Sequence, residues 1–450
     1  MSRYTRRSFL RNTSAAAAAA ALAGRASWAQ NAKISTEGKK APNLAVIGTG
    51  GAGMMQAREF IKLGANVVCF CDVDSARQKE IGEKFPNAKT YQDYRKMLDV
   101  HKNDIDAVTV GVPDHHHYPA TILAMQMGKH CYTQKPLTHT VWEARQLAEA
   151  AKKYKVATQM GNQGHANEGW RLLTEWYKAG ALGQIKVVHT WTNRPVWPQG
   201  IKTPEGSDPV PETLDWDVWL GPAPKRAFKK DVYHPFKWRG WWDFGCGSLG
   251  DMGCHTMDGL FWALDPGHPT AVEVVSASGP LDDAFPKQSV IRWDFPAKGD
   301  QPAFSHFWYD DSVQPKDLPE ELKGLKLPKT GNLFIGTKAT VLCSGDYGDT
   351  VRIVPEAKMK EIGKPAKLFE RSPGHYKEWF MAITGEKPLD FPKSNFHYAA
   401  PMTATIQLGN IALKCGKRLE WDGVKGEFTN DKNANQYLTK QYPAGWKFDV

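Results

Sequence analysis

Two stretches of the chain carry residue types whose spacing suits them to acid–base chemistry on a hydroxyl group. In Gly247-Ser248-Leu249-Gly250-Asp251-Met252-Gly253-Cys254-His255-Thr256-Met257-Asp258, a helix would set Asp251, His255 and Asp258 at i, i+4 and i+7 along one face. A histidine between two carboxylates suits a general base, because the carboxylates favour and orient the imidazolium that forms when it takes a proton. A capping role for Asp251 and a core place for His255 are the structural alternatives. In Thr133-Gln134-Lys135-Pro136-Leu137 a lysine precedes a proline. That pairing could fix a sharp, cis turn and aim the ammonium inward.

A third stretch, Gly48-Thr49-Gly50-Gly51-Ala52-Gly53, is a GxGxxG between an apolar strand over 44–47 and a helix over 54–63. Gly48 permits the tight turn, and Gly50 and Gly51 let backbone approach a pyrophosphate at the helix N-terminus. Gly53 lets helix and strand pack closely. Asp72 ends the second strand, over 66–71, and is placed to accept hydrogen bonds from an adenosine ribose. A carboxylate there repels a 2′-phosphate, so NAD is expected rather than NADP.

The elements that must position these groups fall into two textures. Further apolar strands over 105–110, 130–132 and 156–160, with a helix over 141–154, imply a doubly wound parallel sheet covered on both faces. This α/β unit is expected over 42–160. After a helix over 168–179, strands over 185–191, 271–277, 289–293 and 303–308 mix polar and aromatic positions, with long loops over 194–235 and 310–330. An α+β domain with an open, mainly antiparallel sheet is expected over 161–450. Late helices over 374–383 and 400–415 would close that domain or pack back on the first.

The first residues read as a leader. Thr5-Arg6-Arg7-Ser8-Phe9-Leu10 is a twin-arginine pattern, followed by alanines over 15–23 and Ser27-Trp28-Ala29, which fits cleavage after Ala29. A signal peptide over 1–29, a polar linker over 30–41 and export to the periplasm are expected. The apolar run falls short of the roughly 20 residues that span a bilayer, so no stable membrane insertion is expected. Removing the leader's five arginines halves the formal charge of +10, and no basic run marks a nucleic-acid face. Seven cysteines without a CxxC pair read as buried thiols rather than a disulfide framework. Adjacent histidines at 115, 116 and 117 cannot all face one metal, and no closed metal-ligand set stands out.

Taken together, the GxGxxG, the Pro113-Asp114-His115-His116-His117 segment, the lysine–proline turn, the Asp-x-x-x-His pair and Gly336-Thr337 resemble the Gfo/Idh/MocA oxidoreductases from Asn43 onward. The resemblance implies a Rossmann domain followed by a substrate domain that often mediates homo-oligomerisation. It also implies Lys135, Asp251 and His255 as the catalytic set: His255 takes the hydroxyl proton, Lys135 polarises the oxygen, and Asp251 positions sugar and base. Pro113 and His117 would then lie at the cofactor, with His117 as a site-wall or helix-start residue. Two positions depart from the family's pattern. Gln134 stands where Glu-Lys-Pro is usual, near the nicotinamide ribose. Gly161-Asn162-Gln163-Gly164-His165 replaces a common arginine, which leaves Asn162 as a cofactor contact and His165 as a substrate contact.

The family also implies a carbohydrate substrate, and composition agrees. Twelve of the 17 tryptophans lie between Trp170 and Trp308, where flat rings suit the C–H faces of sugars. Tyr233, Trp238 and Arg239, with Asp258, are candidate substrate contacts, although core or interface roles would explain many of these aromatics. Export adds a constraint, because NAD pools are cytoplasmic and the twin-arginine route carries folded proteins. A tightly held NAD that is regenerated on the protein is therefore expected. Either paired oxidation and reduction, or a glycosidase cycle of transient oxidation, elimination, hydration and re-reduction, would satisfy it. A non-catalytic carbohydrate-binding Rossmann protein is the alternative from another class.

Overall fold

The computed structural model describes residues 41–279 and 281–450, so the twin-arginine leader and all but the end of the linker lie outside the described residues. Strand β1 (Asn43–Ile47) is apolar and buried from Leu44 on, as a strand covered on both faces must be. With it, β2 (Asn66–Cys71), β3 (Lys89–Tyr91), β4 (Ala107–Val110), β5 (His130–Thr133) and β6 (Thr158–Met160) form a parallel sheet in the order β3-β2-β1-β4-β5-β6. Helices α1 (Gly51–Lys62), α2 (Ser75–Lys84), α3 (Tyr94–His101), α4 (His117–Gln126) and α5 (Val141–Tyr154) make the crossovers. Strand order reverses between β1 and β4, which opens a crevice at the carboxyl ends of these strands. Helix α5 starts with a capping box in which Thr140 and Glu143 satisfy each other's backbone amides.

Helix α6 (Glu168–Lys178) leads into β7 (Ile185–Trp191), the first strand of a nine-stranded sheet. The others are β8 (Ala271–Ser278), β9 (Gln288–Phe295), β10 (Phe304–Tyr309), β11 (Gly331–Gly336), β12 (Thr340–Ser344), β13 (Thr350–Val354), β14 (Leu419–Asp422) and β15 (Glu427–Phe428). Their order is β13-β12-β11-β7-β10-β9-β8-β14-β15, parallel at β7/β10 and antiparallel elsewhere among the described residues. Alternating burial along β10 shows one face on the core.

Three helices lie between and beyond these strands: α7 (Trp216–Leu220), α8 (Gly247–Thr256) and α9 (Asp258–Leu264). The single helix expected over 247–258 is therefore two, joined at Met257. Helix α10 (Glu356–Ile362) follows β13, and two further helices, α11 (His375–Ile383) and α12 (Phe396–Cys415), return to the first sheet. Helix α11 sets Trp379 against Phe60 of α1, with ring centroids 4.8 Å apart. Helix α12 is buried along most of its length between α5, α8 and β8. It is bonded to both layers: Gln407 Nε2 donates to Thr138 O at 3.0 Å, and Asn410 Nδ2 to Cys246 O at 3.0 Å. The two sheets thus share one helical wedge.

The segment 194–245, which contains the long loop expected over 194–235, is an aromatic insertion. Trp216 stacks on Trp219 with centroids 4.6 Å apart, and Phe228, Tyr233, Trp241 and Phe244 complete the cluster. Burying these rings gives a long connection its own small core. Backbone bonds dock it on the first sheet beside Asp72: Ser75 N donates to Thr213 O at 2.8 Å and Asp215 N to Val73 O at 2.9 Å. Six of the seven cysteines are buried thiols and Cys415 is half-buried. Among the described residues no helix is long and apolar enough to cross a membrane.

Candidate active site

The glycine loop is built for close approach. Gly48 has φ +91°, and a Cβ there would stand 2.2 Å from Gly111 O. A Cβ on Gly53 would stand 2.3 Å from Gly48 O, so Gly53 seats α1 on the sheet instead of facing the crevice. Helix α1 has Gly50 as N-cap, with no side-chain cap and no acidic residue in its first turn among the described residues. Its first amides, at the positive end of the helix dipole, are free for a pyrophosphate. Asp72 Oδ2 accepts from Thr49 N at 3.0 Å and Thr49 Oγ1 at 2.8 Å, which turns the carboxylate toward the crevice. These residues fit NAD: an uncapped helix start, open space over Gly51, and a carboxylate at the ribose position.

The crevice continues into a cavity of about 540 Å³ that runs from Gly48, Gly50, Gly51 and Asp72 to Lys135, Asp251 and His255. The Lys135–Pro136 peptide is cis. Lys135 Nζ donates to Asp251 Oδ1 at 2.8 Å and to Asp251 O at 2.9 Å, so the turn after β5 is tied to α8. Arg239 Nε donates to the same Oδ1 at 3.2 Å. Burial pushes the Asp251 carboxyl up, but Lys135 and Arg239 outweigh it and hold it at about 2. His255 lies one turn further along α8. Burial, then Lys135, hold its imidazole well below the usual histidine range, against the pull of Asp251. Its Nδ1 has no hydrogen-bond partner among the described residues, and its ring meets the edge of Tyr347 at 4.8 Å between centroids. A neutral, unpartnered imidazole beside an ionised carboxylate and an ammonium is equipped to take a proton.

Other expected residues divide. Pro113, Gln134, Trp238 and Arg239 line the cavity. Gln134 also donates Nε2 to Gln56 Oε1 at 2.9 Å. His117 lies behind the wall: its ring nitrogens face Pro136 O at 2.7 Å and Val112 O at 3.0 Å, so it pins the turn that carries Lys135. Asn162 is also interior, bonded to Cys254 O at 3.4 Å and to Ser394. The structure does not bring Asp258 to His255. Asp258 is fully buried, and its carboxylate takes His165 Nδ1 at 2.9 Å and Tyr398 OH at 2.6 Å. His165 and Asp258 thus satisfy each other away from the cavity lining. Tyr233 is enclosed in the aromatic cluster, its hydroxyl 3.3 Å from Arg226 Nη1.

Several lining residues had no role in the sequence reading. Arg77 lies directly over Gly50. Asp114, one residue past Pro113, is buried in the wall, and burial raises its carboxyl to about 7 against Arg239 and Lys135. Arg194 and Tyr347 reach the cavity from β7 and from the turn after β12. His115 is packed between Trp219 and Phe244, with centroids 5.4 and 5.3 Å away, while His116 borders the cavity. Among the described residues no group of three or more His, Cys, Asp or Glu could hold a metal ion.

Comparison with known proteins gives a consistent picture. A model of the oxidoreductase family, NAD-binding Rossmann fold, matches residues 43–162, and one of the oxidoreductase family, C-terminal alpha/beta domain, matches residues 184–295. An inositol 2-dehydrogenase of Salmonella typhimurium is 26% identical over 199 residues, 42% of this chain and 57% of that protein. An alpha-N-acetylgalactosaminidase of Shewanella oneidensis is 29% identical over 150 residues, 31% of this chain and 32% of that protein. The chain spans little more than half the length of the first curated relatives it matches. Among solved structures, the WlbA dehydrogenase from Bordetella pertussis, in complex with NADH and UDP-GlcNAcA, superposes with TM-score 0.60. That match covers 85% of this chain and 99% of that one at 16% identity, a likeness of fold.

Proposed function

The chain belongs to the Gfo/Idh/MocA family of NAD-binding oxidoreductases, and on that premise we propose that it oxidises or reduces a hydroxyl-bearing carbon of a sugar or cyclitol with tightly held NAD. The observation that carries this reading is the Lys135–Asp251 pair with His255 one turn away, all lining the cavity that the glycine loop opens. The free amides of α1 would hold the pyrophosphate, and Asp72 the adenosine ribose. When bound, NAD supplies the hydride acceptor or donor. His255, held neutral, takes the hydroxyl proton on an imidazole nitrogen. Lys135 donates to the same substrate oxygen and offsets negative charge developing there. Asp251 orients Lys135 and favours the imidazolium once it forms. Replacing His255→Ala should lower turnover by about 10²–10⁴-fold while bound NAD, measured by release on denaturation, stays at the wild-type level. Activity that survives the substitution would remove this assignment.

Retention of the cofactor belongs to the same proposal. The twin-arginine leader supports export of a folded, loaded protein to the periplasm, and the insertion docked beside Asp72 supports holding the dinucleotide in place. Mature protein purified without added NAD and then denatured should release about one dinucleotide per chain; none released, with weak NAD binding, would overturn retention. Association of the open nine-stranded sheet with a second copy is also proposed, and sedimentation analysis tests it.

A second reading is favoured by Asp114. This carboxyl shares the cavity with Asp251 yet stays protonated up to about pH 7. It could protonate a leaving group in a net glycosidase cycle, in which a transient ketone acidifies the neighbouring C–H, the substituent is eliminated, water adds and the ketone is reduced again. Release of aglycone without net NADH from an aryl glycoside would select this reading.

A further inference from the structure

The end of the cavity beside Asp251 is richer in hydrogen-bond donors than a neutral sugar needs. Three cations line it, Lys135, Arg194 and Arg239, against two carboxyls, Asp114 and Asp251. Lys135 is committed to Asp251 through both of its bonds. Asp114 is held in its neutral form up to about 7 by burial. Arg194 is oriented by Asn193 Oδ1 and by Asp346 Oδ2, the latter 3.1 Å from Nη2, and Asp346 lies outside the cavity wall.

Arg239 is fixed more firmly. Its guanidinium stacks on Trp238 and Phe236, with the central carbon 4.2 and 4.5 Å from the ring centroids. Nε is used on Asp251 and Nη1 on Phe236 O at 3.1 Å, while Nη2 has no acceptor among the described residues. Asp251 is shared by Lys135 and Arg239, and Asp346 is paired to Arg194, so three cations face two ionised carboxylates and this end carries surplus positive charge.

A sugar hydroxyl both donates and accepts, whereas a carboxylate only accepts and matches a planar guanidinium fork. We propose that this end recognises a carboxylate-bearing sugar, a uronic or aldonic acid, whose acid group is taken between Arg194 and Arg239 while its ring presents a hydroxyl to His255. The inference rests on the oxidoreductase reading above for the position of the ring, but not for the charge preference. Arginines held by stacking and by one carboxylate partner need little further ordering to grip a second.

The test is a binding measurement that does not depend on turnover. Protein carrying NADH is titrated calorimetrically with glucuronate against glucose, galacturonate against galactose, and gluconate against sorbitol. At least one acid should bind about 10-fold or more tighter than its neutral counterpart, and about 0.5 M NaCl should narrow the gap. Arg194→Gln should remove most of the preference by weakening the acid alone, and Arg194→Lys should restore part of it. No acid binding tighter than its counterpart, or a substitution that weakens both members equally, overturns the proposal. Preference without oxidation of any sugar upholds the charge class and sinks the oxidoreductase reading. Oxidation of a neutral sugar as efficient as that of its acid does the reverse.

Discussion

Two aspartate–histidine partnerships lie close together in this fold and differ in one respect. Asp258 and His165 are both fully buried, 2.9 Å apart, with Tyr398 OH on the same carboxylate oxygen at 2.6 Å and Trp262 stacked on the imidazole. Asp251 and His255 share one helix, face a cavity, and leave an imidazole nitrogen without a partner. Residue type is the same in both pairs; access to the cavity separates the chemical pair from the structural one.

Substitutions can break this contrast. After His255→Ala, the largest effect on turnover is expected from Asp251→Asn, which removes the charge that orients Lys135. Turnover should fall by about 10²–10³-fold, and the unfolding midpoint should also drop by a few degrees because the carboxylate shared by Lys135 and Arg239 loses its charge, as kinetics and calorimetry together would show. Asp258→Ala should spare turnover instead. Stranding His165 beside Tyr398 should lower stability by about 3–5 kcal/mol, read by urea unfolding, while the protein that remains folded keeps its turnover per site. If Asp258→Ala abolished turnover in folded protein, the division between the two pairs would be wrong.

A smaller effect extends the contrast to a third carboxyl. The folded state holds Asp114 at about 7, above its ordinary 3.8. Between these values the unfolded chain gives up a proton that the folded chain keeps, so this group lowers stability as pH rises from about 4 to 7 and adds no further slope above that. Asp114→Asn removes that slope, and its unfolding temperature should gain on wild type by a few degrees across that window. Asp251 acts with the opposite sign, its contribution being lost as pH falls below about 4 toward 2. A parallel pH dependence in Asp114→Asn and wild type would place the Asp114 titration elsewhere.

How much of this was legible in the sequence follows from how local each feature is. The glycine loop, Asp72 and the β1–α1 junction lie within 30 residues and follow from local backbone sterics, and the structure has the strand–loop–helix order as read, with the helix beginning at Gly51 rather than at 54. The Asp251–His255 spacing was equally local. Asp258 was misplaced because the seven-residue spacing shares a face only if one helix continues, and this one breaks at Met257. His165 carried a plausible polar group, but its partner Asp258 lies 93 residues on, and Tyr233 turns inward among the aromatics of its own insertion. Arg194 and Tyr347 were passed over for the same reason: no neighbour in sequence marks them, and only the nine-stranded sheet brings them to His255. The tryptophans of 194–245 were read partly as sugar platforms, whereas Trp216, Trp219 and Trp241 bury their faces on one another and on Tyr233 and Phe244.

The insertion is bonded to the end of β2 beside Asp72, and were NAD retained there as proposed, the cofactor would not exchange between turnovers. Oxidised and reduced dinucleotide then become two states of the protein rather than two solutes. Electron donor and electron acceptor must take turns at one opening, each leaving before the other enters. Initial rates measured against one of them, at several fixed levels of the other, would trace parallel lines in a double-reciprocal plot.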